Sequence, residues 1–307
     1  MARSRFAADR GLVSRMVLVM FLLGLLYVVF VGALIAINLP IVLIVIIAGG
    51  FFLIQFFASD RIALFAMHGR IVTEQEAPQL HAIVDRLCAM SNTPKPKVAI
   101  ADSDVPNAFA TGRSQKRAVV CATTGIMRRL DAEELEGVLA HEMSHVAHHD
   151  VAVMTIASFL GVLAGIITRF AFYAEMFGGG GNRRGGRNDQ NTAMIAFFVM
   201  IISAIVYAVS FLLIRALSRY RELSADRSGA LLTVRPSALA SALQKVTGAM
   251  GQIPTRDLRA AEAFNAFFFT PALAKGASLS SLFSTHPSLE RRLQQLSEIS
   301  RELGEGR

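Results

Sequence analysis

The stretch DAEELEGVLAHEMSHVAHHD, residues 131–150, decides how the rest of the chain is read. Asp131 is a residue type that caps helix N-termini, Glu133 and Glu134 follow in the first turn where the macrodipole favours acids, and histidines gather at the far end. The pattern predicts a helix that runs straight on toward the next apolar segment. Within it His141 and His145 stand four residues apart, so they share one helical face and can grip one ion. Zinc suits this set, because neutral imidazole nitrogens bind it at about 2.0–2.1 Å and a catalytic site uses three protein ligands with the fourth position left to water. Glu142, one step round the helix, is then placed to take a proton from that water as general base and to hand it on to a departing amine. Two histidines at this spacing also arise on solvated helix faces, so the motif calls for a third ligand.

Val151 occupies the place where a third histidine would follow in the H-E-x-x-H-x-x-G-x-x-H pattern, so that ligand has to come from elsewhere. RELSAD, residues 221–226, offers it: Glu222 is the candidate ligand, and Asp226, four residues later on the same face, can accept a hydrogen bond from a ligating imidazole. The plainer alternative is a surface salt-bridge cluster of Arg221, Glu222, Asp226 and Arg227. His148 lies three residues beyond His145 and is expected to be a solvated or interfacial histidine.

Around these motifs the chain is too apolar for a water-soluble domain. Of its 307 residues 53% are hydrophobic, and the mean hydropathy is +0.47. Roughly 20 apolar residues cross a bilayer, and four segments have that character: about 16–38, 39–58, 151–177 and 193–217. The first two read as a tight hairpin broken at Pro40; a cleavable signal peptide is the rival for the first, but no small-residue cleavage site is clear. A glycine-rich connector, GGGGNRRGGRNDQN, joins the last two. Arg3, Arg5, Arg10 and Arg15 precede the first span, which predicts an N-terminus on the cytoplasmic side and leaves residues 59–150 and 218–307 there as well. Arg183, Arg184 and Arg187 in the connector resist that scheme unless the third and fourth segments enter the membrane without crossing it.

The division expected is therefore an N-terminal membrane hairpin (1–58), a cytoplasmic part with the histidine helix (59–150), a second pair of membrane helices (151–217) and a C-terminal cytoplasmic part (218–307). The soluble mass reads as α+β and mostly helical. Leu80, Ile83, Val84 and Leu87 recur at helical spacing over 74–90, with Asn92 and Pro94 ending that helix. KVAIA at 97–101 and RAVVCAT at 117–123 read as two strands of a small sheet. Further helices fall at 236–250 and 287–301. The net charge of +8 is explained by topology and anionic lipid headgroups rather than by nucleic acid. Cys88 and Cys121 are expected to be buried free thiols.

Taken together, HEMSHVAHHD, two hydrophobic segments and then RELSADRSGA, with PNAFATG upstream and STHPSLERR near the end, resemble the bacterial HtpX heat-shock protease family of the M48 membrane metalloproteases. The Ste24 CAAX-processing proteases are relatives of that family. The resemblance covers almost the whole chain. It implies a zincin-like (gluzincin) protease domain facing the cytoplasm, set on four membrane helices in the cell inner membrane. It also implies one Zn2+ per chain on His141, His145 and Glu222, Glu142 as general base, and Asp226 as the supporting aspartate. By the same resemblance Asn107 and Ala108 match a segment along the substrate backbone, in keeping with an edge strand or loop able to pair with an extended peptide. His286 matches a histidine that stabilises the developing oxyanion, and Arg292 an arginine close to the site; on its own residues, His286 before Pro287 reads as a helix-entry position. The substrates implied are damaged or unfolded membrane proteins.

Three other readings stay open at this point. A zinc transporter would place its ligands inside the apolar spans, and here they flank them. A membrane scaffold would need a broken motif, and this one is intact. Prenyl-protein processing would ordinarily use more spans than four.

Overall fold

The computed structural model describes residues 10–36, 67–112, 114–150, 187–252 and 286–304, with isolated positions between 46 and 65 and between 153 and 168. Most of the second and third apolar segments and residues 178–186 of the glycine-rich connector lie outside the described residues.

Helix α1 (Arg10–Ala36) has no amphipathic pattern, and its outward side chains stay bare: Phe21 is 64% and Val28 71% exposed. Among the described residues, 13–33 and 197–233 are the two helices long and apolar enough to cross a bilayer. An apolar face of this extent needs lipid or protein to cover it. The two helices pack on each other through Val19, Leu23, Tyr27 and Leu217.

After α1 the described residues form a sheet of four strands, β1 (Gly69–Ile71), β2 (Lys97–Ala101), β3 (Ala108–Thr111) and β4 (Val119–Thr123), in the order β1-β2-β4-β3. β2 and β4 run parallel, while β1 and β3 flank them antiparallel. Two of these strands answer the sequence patterns; β1 and β3 are additions, too short to show an alternation. Every residue of β4 is buried, as its central place between two layers requires.

Helices α2 (Pro78–Ser91), α3 (Thr124–Arg129) and α4 (Ala132–Ala147) follow the capping rules. α2 ends on Asn92 in the left-handed conformation. α4 opens with a full capping box, in which Asp131 accepts the N–H groups of Glu133 and Glu134 while Glu134 accepts that of Asp131. α4 does not run on into the third segment as its sequence suggested. It stops at Ala147, and His149 takes φ +58°, a left-handed turn that re-aims the chain before Asp150.

Helix α5 (Arg187–Thr233) is one continuous helix of 47 residues, so the apolar span passes without a break into RELSADRSGALL. It is followed by α6 (Pro236–Met250) and α7 (Leu289–Leu303). α4 lies at the centre, in contact with β3, α2, α5 and α6. Its Leu135, Val138 and Leu139 join Leu80, Val84, Val120, Ile126, Leu239 and Leu243 in the main core. Gly229 of α5 sets how closely the two central helices approach: a Cβ there would stand 2.9 Å from the His141 amide nitrogen.

Candidate metal centre

α4 contributes His141 and His145 from one face, and α5 crosses that face with Glu222 and Asp226. The Nε2 atoms of the two histidines are 3.3 Å apart. Glu222 lies 3.6 Å from His141 Nε2 through Oε2 and 3.5 Å from His145 Nε2 through Oε1. Among the described residues these three form the group of donors able to hold a metal ion. Four ligands at about 2.0–2.1 Å in a tetrahedron stand roughly 3.3 Å from one another, close to the separations found.

The outer nitrogens support the same conclusion. His141 Nδ1 is 2.8 Å from Asp226 Oδ1 and His145 Nδ1 is 2.5 Å from Asp150 Oδ2. A carboxylate only accepts, so a proton on each Nδ1 would face its carboxylate and leave each Nε2 lone pair turned inward for a metal. Two imidazole nitrogens and a carboxylate thus converge within 3.6 Å, a grouping that a shared proton or a metal cation holds together. Imidazole and carboxylate donors, three in number, fit zinc.

Charges around the centre are balanced by neighbours. Burial alone would raise the Glu222 carboxyl, but His286, His141 and His145 outweigh it and hold it well below the ordinary carboxylate range. His286 Nδ1 lies 3.1 Å from Glu222 Oε2. Burial would likewise raise Asp226, and the Arg292 guanidinium beside it keeps it low. Arg292 is buried and bonds both oxygens of Asp226, with Nη1 3.9 Å from Glu222. Asp226 and Arg292 therefore stand behind His141 and Glu222. Arg221, Glu222 and Asp226 are all buried, which excludes the surface salt-bridge cluster.

Glu142 faces the edge of the sheet. Its Oε2 accepts the Ala110 N–H at 3.0 Å, and its Oε1 is 4.0 Å from His141 Nε2. Burial pushes its carboxyl above the ordinary value, against the opposing pull of His141 and His145. β3 is the outer strand on that side. Asn107 accepts the Thr123 N–H and donates its own to Thr123 Oγ1, both at 2.9 Å, so its main chain is committed inward. Ala108, one residue on, turns its main-chain groups away from β4 by the alternation of an antiparallel pair, and it is buried.

His148 takes no part in the donor group; its N–H caps α4 on Ser144. Asp150 was not singled out in the sequence, and Arg221 stood there only as a member of the surface salt-bridge alternative. The structure corrects this: Asp150 reaches His145, and Arg221 Nη2 reaches the same Asp150 Oδ2 at 2.6 Å. The left-handed turn at His149 brings Asp150 back, and no sequence rule forces that turn on a histidine. Cys88 and Cys121 are buried and unbridged.

The family described as Peptidase family M48 matches residues 74–300. "Protease HtpX homolog 1" of Streptomyces coelicolor is 62% identical over 303 residues, covering 99% of this chain and 97% of that protein. "Protease HtpX homolog" of Moorella thermoacetica is 48% identical over 99% of this chain and 100% of its own length. The crystal structure of Ste24p from S. mikatae superposes with a TM-score of 0.53 at 17% identity, over 89% of this chain and 62% of that one, a likeness of fold. With a family match across most of its length and relatives this similar from end to end, the chain belongs to peptidase family M48, among the HtpX proteases.

Proposed function

We propose that this protein is a membrane-bound, zinc-dependent endopeptidase that hydrolyses peptide bonds in damaged or misfolded membrane proteins. The observation that carries the proposal is the placing of Glu142: its carboxylate is tied to the edge-strand N–H of Ala110 and stands beside three donors gathered for one ion. Residues 1–58 and 151–217 would form four membrane helices of the cell inner membrane. Residues 59–150 and 218–307 would then share the cytoplasmic side, as the arginines before α1 favour.

His141, His145 and Glu222 would hold the zinc, which supplies Lewis acidity toward a carbonyl oxygen and toward water. The protein's own residues do the rest. Asn107 and Ala108, as the family resemblance implies, would lie along the backbone of an extended peptide that pairs beside β3. Glu142, raised by burial, accepts a proton from the attacking water and returns it to the amine that leaves. Ala110 fixes one of its oxygens, so the other is the one that moves the proton. His286 holds the Glu222 carboxylate at 3.1 Å and, as the family resemblance implies, faces the negative oxygen that develops on the substrate.

The test is casein proteolysis by the detergent-solubilised chain, with zinc stoichiometry, in wild type and Glu142→Gln. The variant should keep its zinc and lose turnover. Full proteolysis by a purified variant would sink the proposal, and so would a wild type that binds no metal.

A further inference from the structure

The two histidines of the centre are held in the same way from behind. His141 leans on Asp226, which is gripped by Arg292; His145 leans on Asp150, which is gripped by Arg221. Resting on the metal-ligand reading above, we infer that Asp150 and Arg221 are positioning residues for the metal, a second His–Asp–Arg arm that fixes the ring of His145 as Asp226 and Arg292 fix that of His141.

Three observations carry it. First, Asp150 and Arg221 are 3% and 5% exposed, and with its Nε and Nη1 left without a hydrogen-bond partner among the described residues the buried guanidinium is held to Asp150 through Nη2, a pairing that a buried charge requires. Second, the geometry is directional. The Nδ1 of His145 lies 2.5 Å from Asp150 Oδ2, and Arg221 Nη2 forms an ion pair with that same oxygen at 2.6 Å. One acceptor atom thereby sets the tautomer and the angle of the ring, and a carboxylate behind an imidazole also raises its basicity toward a metal. Third, the arm joins parts of the chain that nothing local requires to meet. Asp150 follows the left-handed turn at His149, at the entrance to the third apolar segment, and Arg221 stands where α5 leaves its own apolar stretch.

The two arms differ. Arg292 engages both oxygens of Asp226, a fork held rigidly inside the core. The second arm hangs on one oxygen of Asp150, at the side of the centre nearest the membrane helices. His145 is therefore the ligand whose orientation depends on how the entrance to the third segment sits against α5.

The experiment uses the full chain in detergent, stripped of metal and titrated with zinc against a chromophoric chelator, and separately loaded with Co2+ for its visible ligand-field spectrum. Asp150→Asn should weaken zinc binding by about 10- to 100-fold and change the Co2+ bands. Because Asp150→Asn leaves Arg221 buried without its anion, the double variant Asp150→Asn with Arg221→Gln is measured beside it. That pair carries neither charge, folds without a lone buried ion, and should still show the weakened zinc and altered bands. Unchanged zinc affinity and unchanged Co2+ bands in the double variant, with only the melting temperature lowered, would make the arm a structural tie and overturn the inference. A wild type that takes up neither metal would overturn the metal centre itself, and this inference with it.

Discussion

Arg292 closes on Asp226 with two hydrogen bonds, Nε to Oδ2 at 2.7 Å and Nη2 to Oδ1 at 2.6 Å, across 66 residues of sequence and wholly inside the protein. Removing the cation alone leaves a buried carboxylate with no counter-charge, a loss of about 3–5 kcal/mol for pairs of this kind. Arg292→Met should therefore lower the melting temperature of the metal-free chain in detergent by many degrees. Arg292→Lys, a point charge without the fork, should fall between it and wild type. Equal melting temperatures for all three would contradict the burial of the pair.

Gly229 tests the spacing of the central helices. A Cβ there would meet the His141 nitrogen at 2.9 Å and the Ala140 carbonyl carbon at 3.2 Å, both main-chain atoms that cannot rotate away. Gly229→Ala should push α5 from α4 and carry Glu222 off its position, lowering turnover on the order of 10- to 100-fold. Gly248, inside α6 with nothing within 4 Å of its would-be Cβ, is the control. Gly248→Ala should stabilise the chain by about 0.5–1 kcal/mol and leave activity alone. The same effect from both substitutions would remove Gly229 from any role in the centre.

Acid should strip the metal. Burial lowers the His141 imidazole, but its Asp226 and Glu222 neighbours outweigh that and raise it above the ordinary histidine value. Zinc has to displace that proton, so apparent affinity is level above the raised pKa and falls about tenfold per pH unit below it. Zinc retained after dialysis at a series of pH values between about 8 and 5 reads this directly. Constant retention across the series would mean that His141 gives up no proton to the metal.

The thiols give a test of the sheet. Cys121 is fully buried in β4, and burial pushes its thiol up to about 12; burial raises Cys88 as well. Alkylation of native protein near pH 8 should leave both unmodified for as long as the fold persists, and both should react in denaturant. Fast labelling of Cys121 in the native chain would mean that β4 is not the covered central strand described.

Much of the site was legible because it follows local rules. Asp131 and Glu134 write a capping box, His141 and His145 share a face by the helical period, and Glu222 and Asp226 repeat that spacing on the next helix. What escaped the sequence depends on the path of the chain in space. β1 and β3 are three and four residues long, too short for alternation to show against the turns beside them. Asp150 meets His145 because His149 turns left-handed, which no neighbour in sequence compels. Arg221 sits next to Glu222 yet serves the other histidine's partner, a division made by the helix turning about 100° per residue. Gly229 did leave a signal: a glycine inside a helix is unfavourable without a reason, and the reason is His141.

The unbroken run of α5 from residue 187 to residue 233 also sets an order of events during synthesis. The ribosome finishes His141, Glu142 and His145 early, while Glu222, Asp226 and Arg292 come only after the apolar part of α5 has been made. On the metal-centre reading, a nascent chain carries a motif without a centre, and cutting power arrives only once that long helix has been laid into place. On that reading the sequence order of its own helices delays the completed site until the chain is nearly made.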